Sequence, residues 1–171
     1  MAGPRNPVLR AVLRAPVALF RLRLGWMFRG RLLLLETVGR SSGRIRRTVI
    51  EVAKSDRAAD HYWVVAGWGR TSDWYRNALA HPPRLVDTGL VRLTSPEVME
   101  LDPAARLELL RDYQERNPRV AKALGERLLG ADFTADEAAL AALAEELGAL
   151  RFSPAIVAKH SQRAEGHPPV G

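Results

Sequence analysis

Four arginines fall within the sixteen residues Thr37 to Val52, TVGRSSGRIRRTVIEV, beside two glycines and two serines and between apolar runs. A guanidinium carries a permanent charge and a rigid fork of donors that matches phosphate and carboxylate oxygens. Gly39 and Gly43 permit tight curvature, which turns backbone N–H groups toward an oxygen ligand. Three readings are open on these residues alone: a solvated hairpin tip, a nucleic-acid patch, or a cradle for an anionic cofactor. Alternation along a strand puts Arg46 and Thr48 on one side and Arg47 on the other. Arg40, Arg44, Arg46 and Arg47 therefore cannot all share one ligand.

A second stretch, VVAGWGRTSDWYRNALAHP (Val64–Pro82), runs from a strand through a glycine turn into the start of a short helix. That geometry also favours anions. Trp68 and Trp74 offer flat faces for a ring system, although tryptophans at the opening of a barrel are by default core plugs. Two glycine-and-arginine turns, one flanked by tryptophans, together suggest an aromatic cofactor with an anionic tail. Other chemistry finds little support. His61, His81, His160 and His167 are too scattered for a metal site, and no GxSxG elbow, Walker loop or GxGxxG motif is present. Cysteine is absent, which excludes disulfides, thiolate catalysis and zinc sites built on sulfur, and fits a reducing cytoplasm. Asp136, Glu137, Glu145 and Glu146 read as the solvated face of a helix.

The elements that must position these turns follow from periodicity. RLLLLETV, RTVIEVAK and HYWVVAG read as strands, joined at Gly39–Gly43 and at Ser55–Asp60. Ser72 and Asp73 open a short helix that Pro82 ends, and RLVDTGLVRL reads as a hairpin turning at Asp87–Gly89. After Met99 the pattern becomes helical. Asp102–Pro103 and Asn117–Pro118 are read as helix starts, and Thr134 to Glu137 as a capping box opening a helix to about Leu147. LRFSPAIVAKH reads as a closing strand, and the tail from Ser161 as loose. A single domain is expected over 171 residues: a basic N-terminal helix in 1–30, barrel strands in 31–98 and 150–158, and a helical insertion in 102–148.

In the N-terminal segment, Val8, Leu9, Val12, Leu13, Leu19 and Phe20 recur at helical spacing, with Arg10, Arg14 and Arg21 opposite and Pro16 as a kink. Such a helix either packs on the barrel or lies on an anionic membrane. Arginines interrupt its apolar run, so it is read as a retained segment and not as a signal peptide or membrane span. Residues 1–47 hold eleven arginines against one acid, Glu36, while the remainder is slightly acidic. An anionic partner should meet that first third.

Read together, LETVGRSSGRIRRTVIEV (Leu35–Val52) and VVAGWG followed by DWYRNALAHP resemble the two signatures of the deazaflavin-dependent nitroreductase family, within the flavin/deazaflavin oxidoreductase superfamily. The resemblance runs from about Leu13 to Ala158. It implies a mainly antiparallel α+β fold, the FMN-binding split β-barrel, and the deazaflavin coenzyme F420, whose tail carries a phosphate and several carboxylates. By carry-over, Ser41, Ser42, Gly43, Arg46, Arg47 and Thr48 would lie along that tail. Ser41 stands where the family often has lysine, which would shift a tail contact to Arg40 or Arg44. Ala66, Gly67, Trp68 and Gly69 would meet the ring, helped by Trp74 and Asn77. Gly67 replaces a common serine, and Ala78 stands after Asn77 where the family has leucine. The implied chemistry is hydride transfer to a small electron-poor acceptor: a quinone, an activated alkene or ketone, or a nitroaromatic compound. No catalytic side chain is assigned; solvent, Tyr75 or Tyr113 would supply a proton. A homodimer and peripheral membrane contact through the N-terminal helix are further expectations. An FMN-dependent split-barrel oxidoreductase is the enzymatic alternative. A non-catalytic module for anionic membranes or nucleic acid is the other, although no stacking aromatics are interleaved with the N-terminal arginines.

Overall fold

The computed structural model describes residues 16–155, so most of the N-terminal amphipathic pattern and the chain after 155 lie outside the described residues. The chain is helical over 16–21 and then forms a 3-10 turn, Gly25–Phe28. Phe20 is buried, its ring stacked on Phe28 at 5.6 Å between centroids.

Among the described residues, seven strands follow: β1 (Leu32–Val38), β2 (Ile45–Asp56), β3 (His61–Ala66), β4 (Leu85–Asp87), β5 (Arg92–Thr94), β6 (Glu97–Glu100) and β7 (Gly148–Ser153). They pair antiparallel in the order β5-β4-β1-β2-β3-β7-β6. The long strand β2 makes this sheet curl. Its residues Ile45–Glu51 pair with β1, whereas pairing with β3 begins at Val52, with a register irregularity before Lys54. One long strand thus joins the two halves of the sheet, and the bend between them curls the whole into the split β-barrel. Leu33, Leu35, Val64, Val86, Leu150 and Phe152 fill its interior with no solvent exposure. Each such apolar side chain contributes roughly 2 kcal/mol on burial.

Among the described residues, four further helices pack on this sheet: α1 (Asp73–Ala80), α2 (Pro103–Arg116), α3 (Pro118–Leu129) and α4 (Glu137–Glu146). Helix α1 follows β3 directly and packs on β1 and β6. Tyr75 of α1 presses on Gly148, where a Cβ would lie 2.7 Å from the ring. Helices α2 to α4 lie between β6 and β7 in the chain. Leu109, Tyr113 and Ala121 pack against Ala53 and Ala149, while Leu110, Phe133, Leu140 and Leu143 form a core of their own. Buried Arg106 donates to the carbonyls of Glu145 and Leu147, and so serves the open C-terminal end of α4.

Several local expectations are corrected. The strand region runs past its expected limit at Val98: β6 extends to Glu100, across the point at Met99 where the sequence pattern turns helical, and with only Val98 partly covered it shows no buried alternation. Helix α4 is capped by Asp136, which accepts from the Ala139 N–H, and Thr134 donates to Asp136 instead of capping. Asn117 heads α3 without a side-chain cap, and the Ser72 hydroxyl donates back to the Gly69 carbonyl. Among the described residues, no helix is long and apolar enough to cross a membrane.

Candidate functional site

The turn between β1 and β2 is tied by its own backbone. The Gly39 N–H donates to the Arg44 carbonyl at 2.9 Å and the Gly43 N–H to the Gly39 carbonyl at 2.8 Å. Gly43 has φ +62°, which suits glycine, and a Cβ on Gly39 would lie 2.6 Å from the Ser42 hydroxyl oxygen. Helix α1 then fixes the turn from the side. The Arg40 N–H and Nη1 both donate to Asn77 Oδ1, at 3.2 and 3.0 Å, and Nη1 also reaches Asp73 Oδ1 at 3.0 Å. Arg40 is therefore occupied in docking the turn onto α1.

Between turn and helix lies an open groove of ≈ 560 Å³, walled by Ser41, Ser42, Arg46, Thr48, Trp74 and Asn77 among others. It runs beside the part of β2 that has a strand partner on one side only, because β3 joins β2 only from Val52. The strand register decides which arginine serves the groove. Arg46 stands opposite Thr37 and Thr48 opposite Leu35, on the face that continues into the barrel core. Arg47 stands opposite Glu36 and makes an ion pair with it at 2.5 Å on the other face. Among the described residues, the side chains of Ser41, Arg44 and Arg46 have no hydrogen-bond or ion-pair partner. The hydroxyl of Thr37, across from Arg46, is buried and unpartnered. Unused cationic and hydroxyl donors beside an open strand edge suit a ligand rich in anionic oxygen.

The ring-side residues are placed differently. Ala66 points into the barrel core, while Gly67 opens on the opposite face of β3. Trp68 is 65 % exposed, and the guanidinium of Arg127 lies 4.0 Å over its ring. The structure thus gathers Ser41, Ser42, Arg46, Thr48, Trp74 and Asn77 along one groove, and Arg47 borders it from β2 while its side chain pairs with Glu36 on the other face. Gly43 and Arg44 sit at the tip of its turn, and Ala66, Gly67, Trp68 and Gly69 form the neighbouring turn that leads into α1. Trp74 meets Tyr75 edge to face at 5.8 Å, which leaves it half-buried along the groove wall. Arg127 and Asp73 had no local sequence signal, since each acts on a partner more than thirty residues away.

The two tyrosines considered as proton donors lie outside the groove. The Tyr75 hydroxyl donates to Glu100 Oε1 at 2.6 Å, and Arg70 reaches the same oxygen at 2.9 Å. Burial, then the bond to Glu100, push Tyr75 up to about 12. Tyr113 is also raised well above the usual phenol range, by burial and then by the Glu51 carboxylate. Both hydroxyls hold their protons at neutral pH. Among the described residues, no group of His, Asp and Glu could hold a metal ion.

Comparison with known proteins agrees with this picture at the level of family. The model of the F420H(2)-dependent quinone reductase family matches residues 14–129, which contain both turns, α1, α2 and α3. No curated protein sequence matches the chain. Among solved structures, an F420-H2 dependent reductase (FDR-A) is similar at 20 % identity over 72 % of this chain and 94 % of its own, with a TM-score of 0.49. A pyridoxamine 5'-phosphate oxidase-related, FMN binding protein from Nostoc punctiforme is similar at 13 % identity over 90 % of this chain and 83 % of its own, with a TM-score of 0.46. With more than half of its length matched by one family model, the chain belongs to the F420H(2)-dependent quinone reductase family and is an F420-dependent reductase.

Proposed function

We propose that the groove between the β1–β2 turn and α1 holds the anionic tail of F420, and that the enzyme passes electrons from F420H2 to a quinone. The observation that carries this reading is the pair of unpartnered donors Ser41 and Arg46 in the groove beside the open edge of β2, near the orphaned Thr37 hydroxyl, with Arg44 unpartnered at the tip of the turn. Arg46 and Thr48 neutralise and bond tail oxygens from the strand, and Ser41 and Ser42 from the turn. Arg40 holds the wall in place through Asp73 and Asn77. Ala66, Gly67, Trp68 and Gly69 give the ring its backing. Bound there, the reduced deazaflavin supplies a hydride, and the protein supplies orientation and electrostatics. The family's description supports a quinone over the other acceptors, activated alkenes, ketones and nitroaromatics. The test is a titration of the purified protein with F420, and separately with FMN, followed by absorbance and fluorescence. Saturable F420 binding below ~100 µM, with menadione-dependent oxidation of F420H2, is expected. FMN binding with no F420 binding would overturn the reading.

A further inference from the structure

A second cleft, of ≈ 240 Å³, opens on the outer face of the sheet at Gly67. Ala53 of β2 and Val65 of β3 line its sheet side, and Val120, Ala123 and Leu124 of α3 its helical side. Its size lies below the ~300 Å³ at which pockets for drug-sized ligands begin, so it suits a small flat molecule. Gly67 puts no side chain into it; a Cβ there would meet Leu124 at 3.6 Å.

Three polar groups border the cleft: Glu51, Tyr113 and Arg127. The first two are neighbours, and the Glu51 carboxylate, after burial, holds the Tyr113 phenol above its usual range. Arg127 differs. Its guanidinium lies over the face of Trp68 at 4.0 Å and, among the described residues, has no carboxylate or carbonyl partner. Stacking on an aromatic face fixes the plane of a guanidinium and leaves the N–H fork at its rim free. The same residue therefore joins the turn assigned to the deazaflavin ring and the mouth of an apolar cleft.

We infer that this cleft takes the electron acceptor and that Arg127, held by Trp68, binds the acceptor's carbonyl oxygen. The inference rests on the F420 reading, because only a ring backed by Ala66–Gly69 brings a hydride to this cleft. Hydride transfer breaks a C–H bond of the reduced cofactor and delivers two electrons and one hydrogen to the quinone. The negative charge left on a quinone oxygen faces Arg127, a proton from water completes the hydroquinone, and the deazaflavin is left oxidised. A donor aimed at charge that develops during reaction accelerates the step more than it tightens ground-state binding.

The experiment uses the full chain with Arg127→Ala, Arg127→Lys and Trp68→Leu. It measures F420 affinity by fluorescence, and kcat and KM for menadione with saturating F420H2. Arg127 is exposed on α3, so the fold should survive its truncation. Arg127→Ala should leave F420 affinity within about twofold and lower kcat/KM for menadione about 10- to 100-fold, mostly through kcat. Arg127→Lys should recover part of the loss, and Trp68→Leu should fall between wild type and Arg127→Ala. Unchanged menadione kinetics in Arg127→Ala, with F420 still bound, overturn this assignment and leave the F420 reading standing. Loss of F420 affinity in Arg127→Ala parallel to the loss of turnover overturns it too, by moving Arg127 to the cofactor side. Failure of the wild-type protein to bind F420 overturns both.

Discussion

Arg46 lies opposite Thr37 on the face that lines the groove, while Arg47, one residue on, is held by Glu36 across the strand pair. Their substitutions should separate accordingly. If the groove holds the F420 tail as proposed, Arg46→Ala removes a charged donor from it and should weaken F420 binding about tenfold, or about 1.4 kcal/mol. Arg47→Ala breaks a partly exposed ion pair, so it should cost at most about 1 kcal/mol of stability and shift F420 affinity less than twofold. Calorimetric titration of both variants with F420 checks this, and equal losses would contradict the assignment of faces. The facing of these side chains was legible in the sequence, because side chains alternate with a period of two along a strand. What silences Arg40 was not. Asp73 and Asn77 lie 33 and 37 residues along the chain, and only the docking of α1 on the turn brings them to its guanidinium.

At the scale of elements, β1, β2 and β3 could be read because their inward residues are apolar and β-branched and glycine turns separate them. Strand β6 could not, since its four residues offer one partly covered side chain and sit just before an N-capped helix. It is a strand through its pairing with β7, a contact made across the whole helical insertion. Cap positions show the same limit on a finer scale. Thr134 and Glu137 have capping-box spacing, yet the backbone enters the helix at Asp136, with Ala135 at φ +58° just before it. Asp136→Ala should thus lose about 1 kcal/mol of stability, with the Ala139 N–H left unsatisfied. Thr134→Ala should lose only a few tenths, since its hydroxyl donates to Asp136 and caps nothing itself. Urea unfolding of the two variants measures the difference, and the reverse order would restore Thr134 as the cap.

Across the whole molecule, helix α1 packs on β1 and β6, and Tyr75 ties it to the far strands: its ring lies on Gly148 of β7 and its hydroxyl bonds Glu100 of β6. This tie makes the fold sensitive to alkali. Tyr75 ionises near 10 in the unfolded chain and near about 12 in the folded one, pushed up by burial, then by Glu100, against the smaller opposing pull of Arg70 and Arg106. Between these values the unfolded chain has lost the phenolic proton while the folded chain keeps it, so unfolding becomes more favourable as pH rises. The contribution is fully present below pH 10 and lost as pH passes through about 12, and it amounts to roughly 2–3 kcal/mol. Tyr75→Phe removes that titration while keeping the ring against Gly148. Near pH 8 the variant should be less stable by about 1 kcal/mol, for the lost bond to Glu100. As pH climbs above 10 the wild type should weaken faster, so that the two stability curves converge and then cross. Tyr113 is raised in both proteins and cancels from the comparison. Thermal melts of the pair from pH 8 to pH 11.5 follow the crossing, and a gap that stays constant over that range would mean that Tyr75 does not couple its proton to folding.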